Sequence, residues 1–215
     1  MKLDCHICNK ITSSFMDEKT NITYYHCNEC EYIFKSPECY QDLDTQKERY
    51  NLHTNDENDE GYIAYFQRFI DFTSPFVSSC KSALDFGCGA SSILSEMFEK
   101  KGIVCDFYDP IYHPEGMDDH SKKYDLIVST EVFEHLHQPR DVFVSLLDRL
   151  SKDGYLALQT QFHTNDIEAF KKWYYHQDPT HIVFFTAETF KILCKRYGCE
   201  FVSDNTKNMV LIRKP

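Results

Sequence analysis

From Lys81 to the C-terminus, segments with the residue pattern of β-strands alternate with segments that have the apolar spacing of helices. The predicted strands are residues 83–86, 103–108, 124–130, 155–161, 201–203 and 209–213, and the predicted helices are residues 91–101, 139–150 and 187–197. This alternation favours an α/β fold in which helices cover both faces of a parallel sheet. Only residues 204–208 join the last two strands, too few for a helical crossover, so these two strands are expected to pair antiparallel.

A glycine-rich turn follows the first predicted strand, with Gly87 and Gly89 at alternate positions after Asp85. Such glycines let the backbone turn tightly and approach a ligand that lies over the strand end. Asp109 stands 20 residues after Gly89, at the end of the next predicted strand. A carboxylate there can bind both hydroxyls of a ribose. The sequence therefore predicts a cofactor site that contains a ribose.

Two details of the turn distinguish between cofactor classes. A dinucleotide site expects a third glycine three residues after the second, and Ser92 stands there instead. Asp85 would repel a pyrophosphate, whereas it suits the cationic end of a cofactor that carries an amino acid, or a buried hydrogen bond to the loop. An NAD-dependent oxidoreductase is thereby disfavoured but stays an alternative, as does an ordinary glycine turn.

Several motifs occur in a characteristic order along residues 60–213. They are residues 84–89, 108–110, 124–136, 151–156 and 178–186. In this order they resemble the class I S-adenosylmethionine-dependent methyltransferases. Glu134-His135-Leu136 and the Asp-Pro-Thr-His run that ends at His181 are similar to a bacterial branch of that family.

The resemblance implies a Rossmann-like, doubly wound sheet of seven strands with an antiparallel last strand. It also implies roles by position. Asp85, Gly87 and Gly89 would line the methionine and ribose part of S-adenosylmethionine, and Asp109 would bind the ribose. Thr130 and Glu131 would lie beside the sulfonium.

One segment departs from the family pattern. Only 13 residues, 111–123, separate the second predicted strand and its Pro110 from the next one, and Pro114 stiffens them. A helix, a strand and their connections do not fit in this length. We therefore expect the family's third strand and the helix before it to be missing or reduced. Asp118 or Asp119 is then the candidate for the adenine contact.

The N-terminal segment contains two Cys-x2-Cys pairs, Cys5 with Cys8 and Cys27 with Cys30, separated by eighteen residues. Two such pairs bring four thiolates to the tetrahedral positions of a zinc ion. A redox pair would need a thioredoxin-like context, which the sequence lacks. Because four thiolates leave no open position, the expected zinc is structural.

These features divide the chain into three predicted parts. Residues 1–37 form a small zinc ribbon, residues 38–60 an acidic linker or lid with eight acids and two bases, and residues 61–215 the methyltransferase domain. The arrangement of a zinc ribbon before such a domain resembles that of enzymes that act on unusual sugars and other small metabolites. Ribbons elsewhere dock proteins, so a protein partner at the ribbon is a further expectation.

Methyl transfer to a hydroxyl or an amine requires positioning of the acceptor and removal of a proton. His163, just after the predicted strand 155–161, and His181 are candidate bases, although each has the alternative of an ordinary loop histidine. Residues 173–176 predict an aromatic wall, a lid or core packing.

A metal site is an alternative for the acceptor side. Glu131, Glu134 and His135 share one face at helical spacing, and His181 would complete the ligands for a divalent cation. Small-RNA 2′-O-methyltransferases and ubiquinone-pathway O-methyltransferases show a similar cluster. Metal-free relatives carry the same Glu-His pair as a structural hydrogen bond, and we expect the metal-free form here.

Composition restricts the partners. The formal charge of −11 argues against tight, sequence-independent nucleic-acid binding. No apolar run approaches the roughly 20 residues of a membrane span, and the first residues do not form a secretory signal, so a cytoplasmic protein is expected. The resulting hypothesis is methyl transfer to a small molecule, at a hydroxyl of a metabolite or sugar. A zinc-ribbon adaptor with an inactive methyltransferase core is the alternative.

Overall fold

The computed structural model describes residues 2–41, 60–117, 119 and 121–215. In chain order the strands and helices are β1 Ser13–Asp17, β2 Ile22–His26, β3 Ile33–Lys35, α1 Glu60–Thr73, β4 Ser82–Phe86, α2 Ile93–Glu99, β5 Val104–Tyr108, β6 Tyr124–Thr130, α3 Pro139–Arg149, β7 Leu150–Gln159, α4 Ile167–Lys172, β8 Val183–Phe184, α5 Ala187–Tyr197, β9 Glu200–Asp204 and β10 Met209–Arg213. Short 3₁₀ turns occur at Pro37–Cys39, Pro114–Met117, Phe133–His135 and Tyr175–Gln177.

The larger sheet has six strands in the order β5-β4-β6-β7-β10-β9. Strands β5, β4, β6 and β7 are parallel, and β10 is antiparallel to both β7 and β9. The predicted doubly wound α/β sheet with an antiparallel last strand is confirmed. Because β4, β5 and β6 are parallel neighbours, their carboxyl ends lie side by side, which is where open α/β sheets bind ligands.

The predicted loss of the third strand is also confirmed for the described residues between β5 and β6. The 3₁₀ turn Pro114–Met117 occupies this interval and lies against β5. A Cβ on Gly116 would lie 2.1 Å from the carbonyl oxygen of Phe107, so the turn lies directly on the edge strand. Asp118 lies outside the described residues. Asp119 is described, and its Oδ1 accepts hydrogen bonds from the N–H and hydroxyl of Ser121.

Strand β7 differs from its predicted bounds. It begins at Leu150, directly after α3 ends at Arg149, and residues 151–154, predicted as a loop, are part of it. Leu150 pairs with Tyr124, and the register shifts before Leu126 pairs with Tyr155. The shift in register accommodates residues 151–154 as extra residues of β7, although their local pattern indicates a turn.

The smaller sheet joins the N-terminal ribbon to the rest of the chain. Its order is β1-β2-β3-β8, and the last strand comes from residues 183–184. Ile33 pairs with Phe184 and Phe34 with Val183. The buried ribbon cysteines share a hydrophobic cluster with residues of the larger unit that include Leu84, Phe133, Phe190 and Val210. The predicted domain boundaries at residues 37 and 61 stay a prediction. The ribbon sheet includes β8, which comes from the predicted methyltransferase domain.

Candidate active site

The turn between β4 and α2 is built on two glycines in the left-handed region, Gly87 at φ +82° and Gly89 at φ +69°. A Cβ on Gly87 would lie 2.3 Å from Cγ2 of Val132, so the turn has no room for a side chain there. The N–H groups of Gly87 and Cys88 donate to the carbonyl of Tyr108 at 2.7 and 3.1 Å. These contacts hold the loop against the carboxyl ends of β5 and β6. Because the two glycines have no side chains, the turn presents backbone atoms to a ligand.

Asp109 lies next to this loop. Its Oδ2 accepts a hydrogen bond from the N–H of Gly89 at 3.1 Å, and its Oδ1 accepts from Ile111 and Tyr112 at 2.8 and 3.1 Å. These contacts use three of the about four lone-pair sites of a carboxylate. The structure therefore brings Asp109 and the glycine loop together and leaves the carboxylate a direction in which to accept from a hydroxyl. Its ribose-binding role stays a prediction.

Asp85 lies on β4 and Thr130 on the neighbouring strand β6, near the glycine loop. Asp85 is 2% exposed and accepts a hydrogen bond from the Ser95 hydroxyl at 3.3 Å. Burial, with the nearby Asp109 carboxylate, raises the pKa of Asp85 to about 7. Thr130 is the last residue of β6 and is half-buried. Their roles toward the cofactor stay predictions.

Four side chains form a buried carboxyl–phenol cluster beyond the end of β6: Tyr65, Glu131, Glu134 and Tyr175. Tyr65 donates to Oε1 of Glu131 at 2.5 Å. The hydroxyl of Tyr175 lies 2.9 Å from Oε2 of Glu131 and 2.5 Å from Oε1 of Glu134. Glu131 has a left-handed backbone at φ +53°, which is uncommon outside glycine. Three separate segments therefore converge on one residue beside the glycine loop.

The cluster shifts the pKa values of its members. Burial, followed by the charge of Glu134, raises the pKa of Glu131 to about 8. Burial also raises the pKa of Glu134, which is fully buried. The pKa of the Tyr175 hydroxyl is raised by burial and by the two carboxyls. Perturbed carboxyls of this kind occur preferentially at sites of proton transfer.

Two histidines border the cluster. His135 Nδ1 donates to the carbonyl of Thr180 at 2.9 Å, and His181 Nδ1 donates to the carbonyl of Tyr175 at 2.8 Å. Each neutral ring consequently has its acceptor nitrogen at Nε2. The rings lie 4.8 Å apart between centroids. Burial lowers the pKa of His135, and it lowers the pKa of His181 to about 3.

A ribbon lysine reaches the same region. Lys35 is 1% exposed, and its Nζ donates to the carbonyl of Asp178 at 2.8 Å. Burial lowers the pKa of Lys35 to about 8, and its positive charge contributes to the lowered pKa values of His135 and His181. The ammonium therefore lies against the loop that leads to His181.

His163 lies in a different environment from His181. Its Nδ1 accepts from the N–H of Asn165 at 3.0 Å, and its ring contacts Phe170 edge-on. Burial lowers the pKa of His163 to about 3, and a ribbon histidine, His26, adds to the effect. The structure does not bring His163 into the carboxyl–phenol cluster, and its catalytic role stays a prediction.

The four predicted zinc ligands do converge. The Sγ atoms of Cys5, Cys8, Cys27 and Cys30 lie within 4.8 Å of one another. Cys5 and Cys30 are 3.4 Å apart, and so are Cys8 and Cys27. Four sulfurs at about 2.3 Å from a tetrahedral zinc are about 3.8 Å apart, so the arrangement fits this ion. Cys39 is not part of the group within the described chain.

Sequence reasoning missed Tyr65 and Lys35. Tyr65 lies in α1 next to the buried residues Phe66, Phe69 and Ile70. Its hydroxyl donates to Glu131. Lys35 ends a short apolar strand, and a lysine in that place indicates a solvent-facing residue. No local signal marks either residue.

Comparison with known proteins identifies the family. The model of the family described as "Methyltransferase domain" matches residues 57–204. The chain belongs to this methyltransferase family. It is an S-adenosylmethionine-dependent methyltransferase of class I, and the match sets aside the NAD-dependent alternative. A search of curated proteins found no match.

Solved structures with this fold include two methyltransferases that contain S-adenosylhomocysteine (SAH). The plantazolicin methyltransferase BpumL, with a pentazolic desmethylPZN analog and SAH, is 17% identical over 80% of this chain and 91% of that chain, with a TM-score of 0.55. The N-methyltransferase NodS from Bradyrhizobium japonicum WM9 is 14% identical over 80% and 97%, with a TM-score of 0.53. The mitomycin 7-O-methyltransferase MmcR is 12% identical over 71% and 54%, with a TM-score of 0.50.

At these identities the solved structures establish the fold of the methyltransferase and not its acceptor. Among the described residues, no helix combines the length and the apolar character that crossing a bilayer requires.

Proposed function

We propose that this methyltransferase transfers the methyl group of S-adenosylmethionine to a hydroxyl of a small metabolite or sugar. The observation that carries the proposal is the carboxyl–phenol cluster, which lies directly after β6 and beside the glycine loop. A hydroxyl must lose its proton as it is methylated, and a buried carboxyl with a raised pKa is suited to accept that proton. The N- and O-methyltransferases among the solved structures make both acceptor atoms reasonable, and the buried carboxyls favour oxygen.

The glycine loop and Asp109 would hold the cofactor. S-adenosylmethionine supplies an activated methyl group on a positively charged sulfur. Gly87 and Gly89 offer bare backbone for close approach, and Asp109 offers a carboxylate oxygen to the ribose. Asp85 supports the loop from below, and Thr130 and Glu131 would lie beside the sulfonium. This assignment keeps all six predicted cofactor residues.

Glu131 is the proton acceptor that the geometry favours. Burial raises the pKa of Glu131 to about 8, and a neighbouring sulfonium would lower that pKa and favour the carboxylate form that can accept a proton. Tyr65 and Tyr175 fix its two oxygens. His181 is the second candidate, but an imidazole with a pKa of about 3 is a weak base. The methyl group would leave sulfur, which keeps the electron pair of the broken bond and gives neutral SAH, and bond to the acceptor oxygen. Ionised Glu131 would accept the proton that this oxygen loses.

A small cavity adjoins this cluster. It has a volume of about 290 Å³ and is lined by Tyr174, Tyr175, Gln177, Asp178 and His181. Ligand cavities are commonly about 300–1,000 Å³, so this one suits a small acceptor or one end of a larger one. Aromatic faces and polar tips together are suited to a sugar or a phenol.

A divalent cation is the second candidate for activating the acceptor. Single ligand atoms of Glu134, His135 and His181 lie within 4.8 Å of one another. Oε2 of Glu134 is buried without a hydrogen-bond partner among the described residues, and both Nδ1 atoms are fixed by carbonyls, as in many metal sites. The nearby Lys35 ammonium opposes a second positive charge. We therefore keep the metal-free form as the proposal.

We also propose that Cys5, Cys8, Cys27 and Cys30 bind one structural zinc ion. The close approach of their sulfurs supports it. Four thiolates fill the coordination sphere, so this zinc would contribute to folding and not to methyl transfer.

The test is transfer of labelled methyl from S-adenosylmethionine to a panel of sugars, nucleotide sugars and phenols. The wild type is expected to label one class, and Glu131→Gln to lower labelling by far more than it lowers SAH affinity. If His181 is the base, His181→Ala rather than Glu131→Gln abolishes labelling. If a cation acts, EDTA abolishes labelling and magnesium or manganese restores it. SAH binding with no labelled acceptor in an exhaustive screen would favour an inactive core.

A further inference from the structure

The segment from Trp173 to Phe185 lies between the ribbon and the carboxyl–phenol cluster. On the ribbon side, the N–H of Lys35 donates to the carbonyl of Ile182 at 2.8 Å, next to the β3–β8 pairing. The Lys35 ammonium donates to the carbonyl of Asp178 at 2.8 Å. One ribbon residue therefore binds the segment twice, through its backbone and through its side chain.

A second ribbon residue holds the other end of the segment. Oδ2 of Asp17 lies 3.1 Å from Nε2 of His176, and both side chains are buried. His176 also contacts the rings of Tyr24 and Phe170. Since Asp17 ends β1, the ribbon fixes the backbone directly beside Tyr175.

On its opposite side the same segment supplies the cluster. The N–H of Ile182 donates to the carbonyl of Glu134 at 2.8 Å, and the carbonyl of Thr180 accepts from His135. Tyr175 contributes its hydroxyl to Glu131 and Glu134. The segment is short and has little regular structure, so its conformation depends on contacts made from both sides.

We infer that the ribbon is part of the acceptor side of this enzyme: Lys35 and Asp17 are positioning residues that hold Tyr175 and His181 against Glu131 and Glu134. This inference rests on the proposed function, because it assigns the ribbon a task at the proposed acceptor site. It departs from the expectation of a separate docking module. Zinc acts on methyl transfer indirectly, by keeping folded the small sheet that carries both residues.

The chain contains a built-in probe for this inference. Trp173 is the single tryptophan, and it packs against Tyr175 and Phe184 within the segment and against Phe170 just before it. Its fluorescence reports the packing of the segment without any acceptor. SAH binding, measured by calorimetry on the same samples, reports the glycine loop.

The experiment compares the full-length wild type with Lys35→Met, Asp17→Asn and the control Lys19→Met, an exposed ribbon lysine. In Lys35→Met and Asp17→Asn we expect red-shifted Trp173 emission, about twofold steeper acrylamide quenching and faster amide exchange at Ile182, with SAH affinity unchanged. Removal of zinc should give the same result. Lys19→Met should match the wild type.

An unchanged Trp173 signal in both variants and after zinc removal would overturn the inference and leave the ribbon as an independent module. If Lys35→Met fails to bind SAH, that variant is misfolded, and the Trp173 signal of Asp17→Asn then tests the inference. With an acceptor from the labelling screen, Lys35→Met should lower kcat about tenfold and leave KM for S-adenosylmethionine unchanged. If the screen finds no acceptor while Trp173 responds as expected, the proposed function fails and the positioning role stands.

Discussion

The hydroxyl of Tyr175 lies 2.5 Å from Oε1 of Glu134 and at the same time 2.9 Å from Oε2 of Glu131. A phenol has one proton, so it can donate to only one of these oxygens. Tyr65 supplies a second proton to Glu131. Two phenolic protons therefore serve three oxygen–oxygen contacts, and a proton on one carboxyl would satisfy the third contact. The raised pKa values of Glu131 and Glu134 favour such a proton.

The first prediction concerns the dependence of stability on pH. The pKa of Glu131 is about 8 in the folded chain, above its ordinary value of 4.5, so the folded state binds more protons between these limits. Stability should therefore fall as pH rises from about 4.5 to about 8. Glu131→Gln should flatten this fall, measured as Tm at pH 6 and pH 9. An identical pH dependence in the variant and the wild type would contradict the assignment.

The second prediction concerns the cofactor. Asp109→Ala should weaken SAH binding about 10- to 100-fold, because a charge-assisted contact of about 1.5–3 kcal/mol is lost. Asp106→Ala, on strand β5 just before Asp109 and bonded to Lys122 and the Tyr124 hydroxyl, is the control. Isothermal titration calorimetry measures both. Equal affinity in the two variants would show that the ribose lies elsewhere.

The third prediction compares two glycines with nearly equal backbone angles. Gly87 has φ +82° and a Val132 methyl 2.3 Å from the position of a Cβ, whereas Gly102 has φ +81° and open space. Gly102→Ala should cost about 1 kcal/mol of stability through backbone strain alone. Gly87→Ala should cost about 1–3 kcal/mol more and abolish SAH binding. Thermal unfolding and calorimetry test the difference, and equal effects would refute the close contact.

The fourth prediction is one zinc ion per chain in freshly purified protein. Cys27→Ser should lose it, and Cys39→Ser, a half-buried neighbour outside the four-sulfur group, should keep it. Elemental analysis gives the count. After chelation the ribbon should unfold while the core, which has its own buried apolar clusters, continues to bind SAH. Full zinc content in Cys27→Ser would rule out this ligand set.

Local sequence patterns were sufficient for much of this protein. The bounds of β6, β10 and α5 agree with those expected from apolar spacing and turn residues, because each element is determined by its own few residues. The glycine loop, its acid and the paired cysteines were equally visible, since their spacing along the chain marks them. The 13-residue interval after Pro110 was enough to predict the missing strand, because chain length limits what can fold there.

Only the tertiary structure decided which of these pieces meet. Tyr65 and Glu131 are 66 positions apart and Lys35 and Asp178 are 143 apart, and no local periodicity connects them. His181 borders the carboxyl–phenol cluster and His163 does not, although both are loop histidines in the sequence. The reason is physical: a sequence pattern specifies which face of an element is apolar, but the partner of that face depends on how the whole set of elements packs. Pairing of β3 with β8 is the clearest case, because it makes the ribbon and the methyltransferase core share one sheet.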